Sequence, residues 1–158
     1  MLGHTSFALR DPIGGQPDPR IQAAIQEFVA PAAGVNLISI TVTGSRDMLL
    51  ILAEVALARG QTAEFRTRIN QLRALNALPE WTGAAGQPSA QDMLVYERRA
   101  NLYLQGRRLN DMYRFGIVDP RWSADSDART CPGSQLPINN AERLTNPNVA
   151  TWQPGCGQ

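Results

Sequence analysis

The chain has 158 residues, enough for one domain with a buried core, and its 43% hydrophobic and 18% charged content is that of a globular protein rather than a disordered tail. A net charge of +1 gives no bulk attraction for nucleic acid or anionic lipid. All 15 basic residues are Arg, which excludes Schiff-base, P-loop and Ser-Lys chemistry, and a lone histidine, His4, argues against a Ser-His-Asp triad or a multi-histidine metal site.

Residues 1–17 read as a flexible N-terminal segment, and "DPIGGQPDP" (Asp11 to Pro19) is turn and loop chemistry. They show no basic stretch followed by an apolar core and no lipid-attachment cysteine. As written, the chain is expected to be either cytoplasmic or a piece of something longer. A short helix is predicted from Pro19 or Arg20 to Val29, with Ile21, Ile25 and Phe28 at helical spacing and "APAAG" to stop it. "NLISITVTGS" (Asn36 to Ser45) is β-branched and reads as a strand or an extended lead-in.

Arg46 to Arg59 is apolar nearly all round, so this helix is expected to be buried on most sides. Its run "MLLILAEVALA" contains Glu54 and is too short to span a bilayer. Gly60 stops it, Thr62 is a candidate cap for the next helix, and Phe65, Ile69, Leu72 and Leu75 form that helix's apolar stripe. So short a link makes the pair an antiparallel hairpin, the unit of tetratricopeptide-like stacks. No repeat occurs within the chain, so a stack would need partners elsewhere.

Ser89, with Asp92 three residues on, opens a third long helix predicted to reach Gly106 and to continue, bent, to Phe115. It carries "ERRANLYLQGRRLNDMYRFG" (Glu97 to Gly116). At 100° per residue, Met93, Tyr96, Ala100, Tyr103 and Leu104 form one apolar arc, with Val95, Leu102 and Leu109 opposite. A nucleic-acid-binding helix would show one continuous basic face. Apolar surface on two sides instead suits a helix wedged between layers, with arginines paired to carboxylates in a structural ion network. Its expected members are Glu54, Glu97, Arg98, Arg99, Arg108 and Asp111.

Residues 117–158 form an irregular tail, expected to dock on the rest of a single domain that spans residues 1–158. Cys131 and Cys156 lie in it and fit no zinc spacing; free thiols and a disulfide are both open. Paired carboxylates such as Asp119 and Asp125 would be needed for a glycosidase, and a loop does not define their geometry. Asp125 and Asp127 could face calcium, but the loop lacks the glycine and distal glutamate of an EF-hand. Trp81, Trp122 and Trp152 are the side chains most able to stack on a sugar. Each more often packs in a core, and Trp122, in a polar loop, is the best placed for a ligand.

Four ordered stretches resemble the C-terminal third of SusD/RagB-like proteins. They are "DPRI" (Asp18 to Ile21), "LAEVALARGQTAEFRTRINQLRALNAL", "ERRANLYLQGRRLNDMYRFG" and "LPINNAERLTNPNVATWQPG". Where the family usually carries Glu, Glu and Trp, this chain has Asn101, Gln105 and Leu109, and Cys156 replaces a terminal aromatic. The resemblance implies a mainly α fold: a tetratricopeptide-like hairpin, a third long helix and an irregular tail.

It also implies a surface-exposed outer-membrane lipoprotein that binds glycans or other nutrients without enzymatic chemistry, needs no cofactor, and caps a SusC-like TonB-dependent transporter. Contact with the membrane would run only through the lipid anchor of a longer parent, and no nucleic acid is expected as a partner. The exported context favours a Cys131–Cys156 bridge in place of the missing aromatic anchor. A structural helical fragment with no ligand site of its own is the alternative reading.

Overall fold

The computed structural model describes residues 9–29, 43–118 and 140–150. It is helical: α1 (Pro19–Val29), α2 (Ser45–Ala58), α3 (Thr62–Ala74), α4 (Ala90–Asn101), α5 (Arg108–Arg114), α6 (Asn140–Thr145) and α7 (Pro147–Ala150) are the helices among the described residues. The chain divides into two compact units, Met1–Arg108 and Leu109–Gln158.

In the first unit α2 and α3 form the hairpin, and α4 packs on α2, α3 and α1. The turn between α2 and α3 is closed by two hydrogen bonds, from Gly60 N to Leu57 O (3.0 Å) and from Gln61 N to Ala56 O (2.9 Å). That pattern needs a left-handed residue after the helix, and Gly60 supplies it at φ +70°. The cap position of α3 is Gln61, which makes no side-chain capping bond; Thr62 is already the first helical residue. Ser89 does cap α4, its Oγ accepting from Asp92 N at 3.1 Å and donating to the Asp92 carboxylate at 2.6 Å.

Leu50, Leu72 and Leu102 join α2, α3 and the end of α4 in a fully dry contact, with Leu49 packed against it. Beside it, Phe65 and Trp81 meet edge to face at 5.3 Å. Trp81 belongs to the loop after α3. Asn70 holds that loop by donating to Trp81 O (3.1 Å) and accepting from Trp81 N (2.9 Å), while the indole N–H donates to Pro88 O.

Three further expectations for the first unit are corrected. First, α2 is buried along only one strip, Leu50, Ala53 and Ala56; Met48, Ile51, Leu52 and Val55 on its other side stay 40–48% exposed. Its neighbours lie on one side, so an all-apolar composition overstates the cover it receives. Second, the stripe of α3 is completed by Arg73, which is fully buried, and not by Leu75, which is 59% exposed. Third, the long helix ends at Asn101: Leu104 (φ +61°) and Gly106 (φ +71°) are left-handed and break it before α5. Leu104, placed on the inner arc by periodicity, is therefore exposed.

In the second unit, Ile117 N donates to Met112 O and Gly116 N to Tyr113 O, closing α5 on a left-handed Gly116. Within the stretch expected to be irregular, α6 and α7 are short helices packed on each other. The predicted strand at Asn36 to Ser45 lies almost wholly outside the described residues.

Candidate functional site

Among the described residues, the densest constellation of charge is in the interior of the first unit. A turn and a helix start feed it, each for a local reason. Asp11 opens the turn of "DPIGG": its backbone N–H and C=O bond Gln16 and Gly15, and its Oδ2 accepts from Gly14 N at 2.7 Å. Asp18 is the N-cap of α1, with Oδ1 accepting from Arg20 N at 3.0 Å and Pro19 at the first helical position, where its missing N–H costs nothing. Residues 9–18 thus place Asp11 and Asp18 in the interior, each 2–3% exposed.

Glu97 on α4 is the hub. Its carboxylate accepts from Arg20 Nη1 (2.5 Å), from Arg73 Nη1 (2.9 Å) and from Asn101 Nδ2 (3.0 Å). Arg20 turns its other edge to Asp18, with Nε and Nη2 at 2.9 and 2.6 Å from the two carboxylate oxygens. Arg73 donates from Nη2 to Asp11 (2.8 Å) and from Nε to Pro79 O (2.5 Å). Tyr96 donates its hydroxyl to Asp18 at 2.6 Å, and its ring lies 5.8 Å from the Arg20 guanidinium. Planar guanidiniums suit this work, because each presents fixed forks of N–H groups to two carboxylates at once.

The charges set one another's ionisation. Burial pushes the Asp18 carboxyl up, but hydrogen bonds from Arg20 and Tyr96 and the charge of Arg20 outweigh it, so the group sits below its ordinary value of 3.8. Burial works against the charged form of Arg20, and the Asp18 and Glu97 carboxylates overcome it and raise its pKa. Burial, then the hydrogen bond to Asp18 and its negative charge, raise the Tyr96 phenol well above its ordinary range.

Such a cluster cannot act on a ligand. The side chains of Asp18, Arg20, Arg73 and Glu97 are at most 1% exposed, so no ligand reaches them without unfolding the unit. Chemically it is a brace: the arginines of α1 and α3 are bolted to one carboxylate of α4, and each is tied back to a loop aspartate.

Of the residues expected in an ion network, the structure puts Glu97 at the centre. Arg98 and Glu54 pair at 3.5 Å towards the edge, 12% and 28% exposed. Asp111 accepts from Arg114 at 3.4 Å within α5, and Arg108 begins that helix. Arg99 is half-buried and takes no part in the Glu97 cluster. Arg20, Arg73, Asp11 and Asp18 were not anticipated; the available signal was Arg73 directly on the apolar stripe of α3. Asn101 turns its amide nitrogen to Glu97, which leaves its Oδ1 buried with no donor.

Trp81 is 3% exposed and locked by its indole hydrogen bond, so it is a core residue. Trp122, Trp152, Asp119, Asp125, Asp127, Cys131 and Cys156 lie outside the described residues. No group of three His, Cys, Asp or Glu among the described residues is placed to hold a metal ion, and no described helix is long and apolar enough to cross a membrane.

A family model, described as the SusD family, matches residues 46–152, about two-thirds of the chain. No curated protein matches the chain, and no solved structure does.

Proposed function

Because the chain belongs to the SusD family, whose members are nutrient-binding proteins of the outer membrane, we propose that it is the C-terminal portion of a glycan-binding protein that caps a TonB-dependent transporter. The observation that carries this reading is the family match, which runs through the α2–α3 hairpin, α4 and α5 into α6 and α7. The buried cluster supports it from the other side. The arginine-rich helix serves the scaffold, which leaves ligand contact to surface loops.

The family binds its ligands rather than transforming them, and the proposed action is capture and delivery without chemistry. The same reading makes the parent a lipid-anchored protein at the cell surface and pairs Cys131 with Cys156 in the tail. Trp122 is the proposed sugar-stacking residue, since an aromatic face within a polar stretch of sequence can cover the apolar side of a pyranose. Calorimetric titration against a glycan panel tests it. Trp122→Ala should weaken binding while leaving the melting temperature nearly unchanged; unaltered affinity, or a large loss of stability, removes Trp122 from the site.

A further inference from the structure

Helices α2 and α5 end on a left-handed glycine by one rule. In α2 the last helical residue is Ala58, Arg59 is the cap and Gly60 turns left-handed (φ +70°); in α5 the same places fall to Arg114, Phe115 and Gly116 (φ +65°). The residue before the glycine makes the last helical bond in each, Arg59 N to Val55 O at 3.1 Å and Phe115 N to Asp111 O at 3.0 Å. Counted back from Gly106 (φ +71°), this rule ends α4 at Leu104 with Gln105 as its cap. Instead α4 stops at Asn101, and Leu104 is left-handed as well, at φ +61°.

The residues between do not explain so early a stop. Leu102, Tyr103, Leu104 and Gln105 include no proline, glycine or β-branched side chain. A β-carbon makes the left-handed backbone costly at Leu104, and the side chain recovers little by burial, being 45% exposed. The hydrogen bonds are poor substitutes for those of a helix. Gln105 N donates to Leu102 O (3.2 Å), a carbonyl three residues back rather than four. Asn101 O is left to the Gln105 side chain, whose Nε2 reaches it only at 3.5 Å and whose Oε1 is buried with no donor.

We propose that the end of α4 exchanges between this short form and a long one, in which residues 102–105 turn helical and Gly106 stays as it is. Gln105 N then takes Asn101 O, the bond that Arg59 and Phe115 make in their own helices, and the Gln105 side chain is released. At 100° per residue, Leu104 moves to within about 20° of Met93 and Glu97, the fully buried strip of α4. Gly106 already has the conformation the long form needs, so the exchange is confined to the residues before it. The structure holds the short form, and the long form is the minor one, on the order of 1–10% of molecules. Only the short form offers Leu104 to solvent, so the exchange gates that side chain.

Relaxation dispersion of the backbone amide nitrogens of the whole chain, read together with Cα chemical shifts, tests the exchange. Motion on the microsecond-to-millisecond scale is expected at residues 102–106 and not along α2 and α3. Leu104→Gly removes the cost of the left-handed turn, so it should lock the short form and abolish the dispersion. Leu104→Ile raises that cost, because a β-branched residue scarcely enters the left-handed region, and should populate the long form, with Cα shifts at residues 103–105 moving to helical values. A wild-type chain without exchange in this segment, or dispersion that survives Leu104→Gly unchanged, overturns the proposal. So does a Leu104→Ile chain that keeps a left-handed shift at the substituted residue and only loses stability, as strain without a second form requires. If Leu104→Ile does not fold, the wild-type and Leu104→Gly measurements decide alone.

Discussion

At the scale of single residues, the difference between Glu97 and Glu54 shows how burial governs the worth of an ion pair. Both are glutamates paired with arginine. Glu97 is completely buried and serves two guanidiniums, whereas the Glu54–Arg98 pair is longer and touches solvent. Removing one partner of a buried pair strands the other in a low dielectric and costs about 3–5 kcal/mol; a pair that water can reach is worth less, down to roughly 0–1 kcal/mol when it is fully exposed. Glu97→Gln should therefore remove a large part of the stability of the chain in urea denaturation, and Glu54→Gln distinctly less. Equal effects would mean that the cluster is not a closed unit.

The pH dependence follows from Asp18. Its carboxyl ionises more readily folded than unfolded, so its contribution is fully present above the unfolded value and is lost as pH falls through the lowered folded one. Denaturation midpoints should decline below about pH 4, and Asp18→Asn, weaker at neutral pH, should show a shallower acid limb. Tyr96 carries the opposite sign: with its pKa raised, its contribution holds below about pH 10 and fades as alkali ionises the unfolded phenol. Acid limbs of equal slope in wild type and Asp18→Asn would remove Asp18 from this linkage.

At the scale of elements, local chemistry was readable and reach was not. Gly60 and Ser89 announce a helix stop and a helix start because each acts within a few residues of itself, and both behave so in the structure. The partners of Glu97 were hidden because they lie 24 and 77 positions away in the chain, beyond any periodicity. Arg73 resembles an ordinary polar residue until α4 and the loop at Asp11 are brought over it. The length of the third helix was overread because Leu104 continues the apolar spacing while its backbone has already turned left-handed.

The end of α3 offers a sharper test of such local rules. Leu78 N donates to Arg73 O and Ala77 N to Ala74 O, the same closure seen at Gly60, but the left-handed position holds Ala77 at φ +50°. A β-carbon there costs on the order of 1–3 kcal/mol, of which glycine gives back up to about 1 kcal/mol through the entropy of the unfolded chain. Ala77→Gly should raise stability by about 1 kcal/mol, visible as a higher melting temperature. A decrease would show that the Ala77 methyl group makes a contact worth more than the strain.

At the scale of the whole molecule, the match to the family begins at residue 46, but the physical unit begins earlier. Asp11, Asp18 and Arg20 lie upstream of the match and are three of the five charged groups in the cluster. Ile21 is also buried upstream of it. The cluster is what joins α1 and its preceding loop to α3 and α4, so the boundary of the fold cannot be drawn where the family similarity starts. A chain starting at Arg46 would keep the Arg73–Glu97 pair but lose the second partner of each, and would open that side of α4 to water. Against a typical total of about 5–15 kcal/mol, losing interactions of roughly 3–5 kcal/mol should lower the melting temperature severely or leave the chain unfolded. Purified from the same host, the two chains can be compared by calorimetry and by hydrogen exchange at α3 and α4. Matching protection in both would mean that the interior of the hairpin and α4 holds without its charged upstream half, and that the brace serves α1 alone.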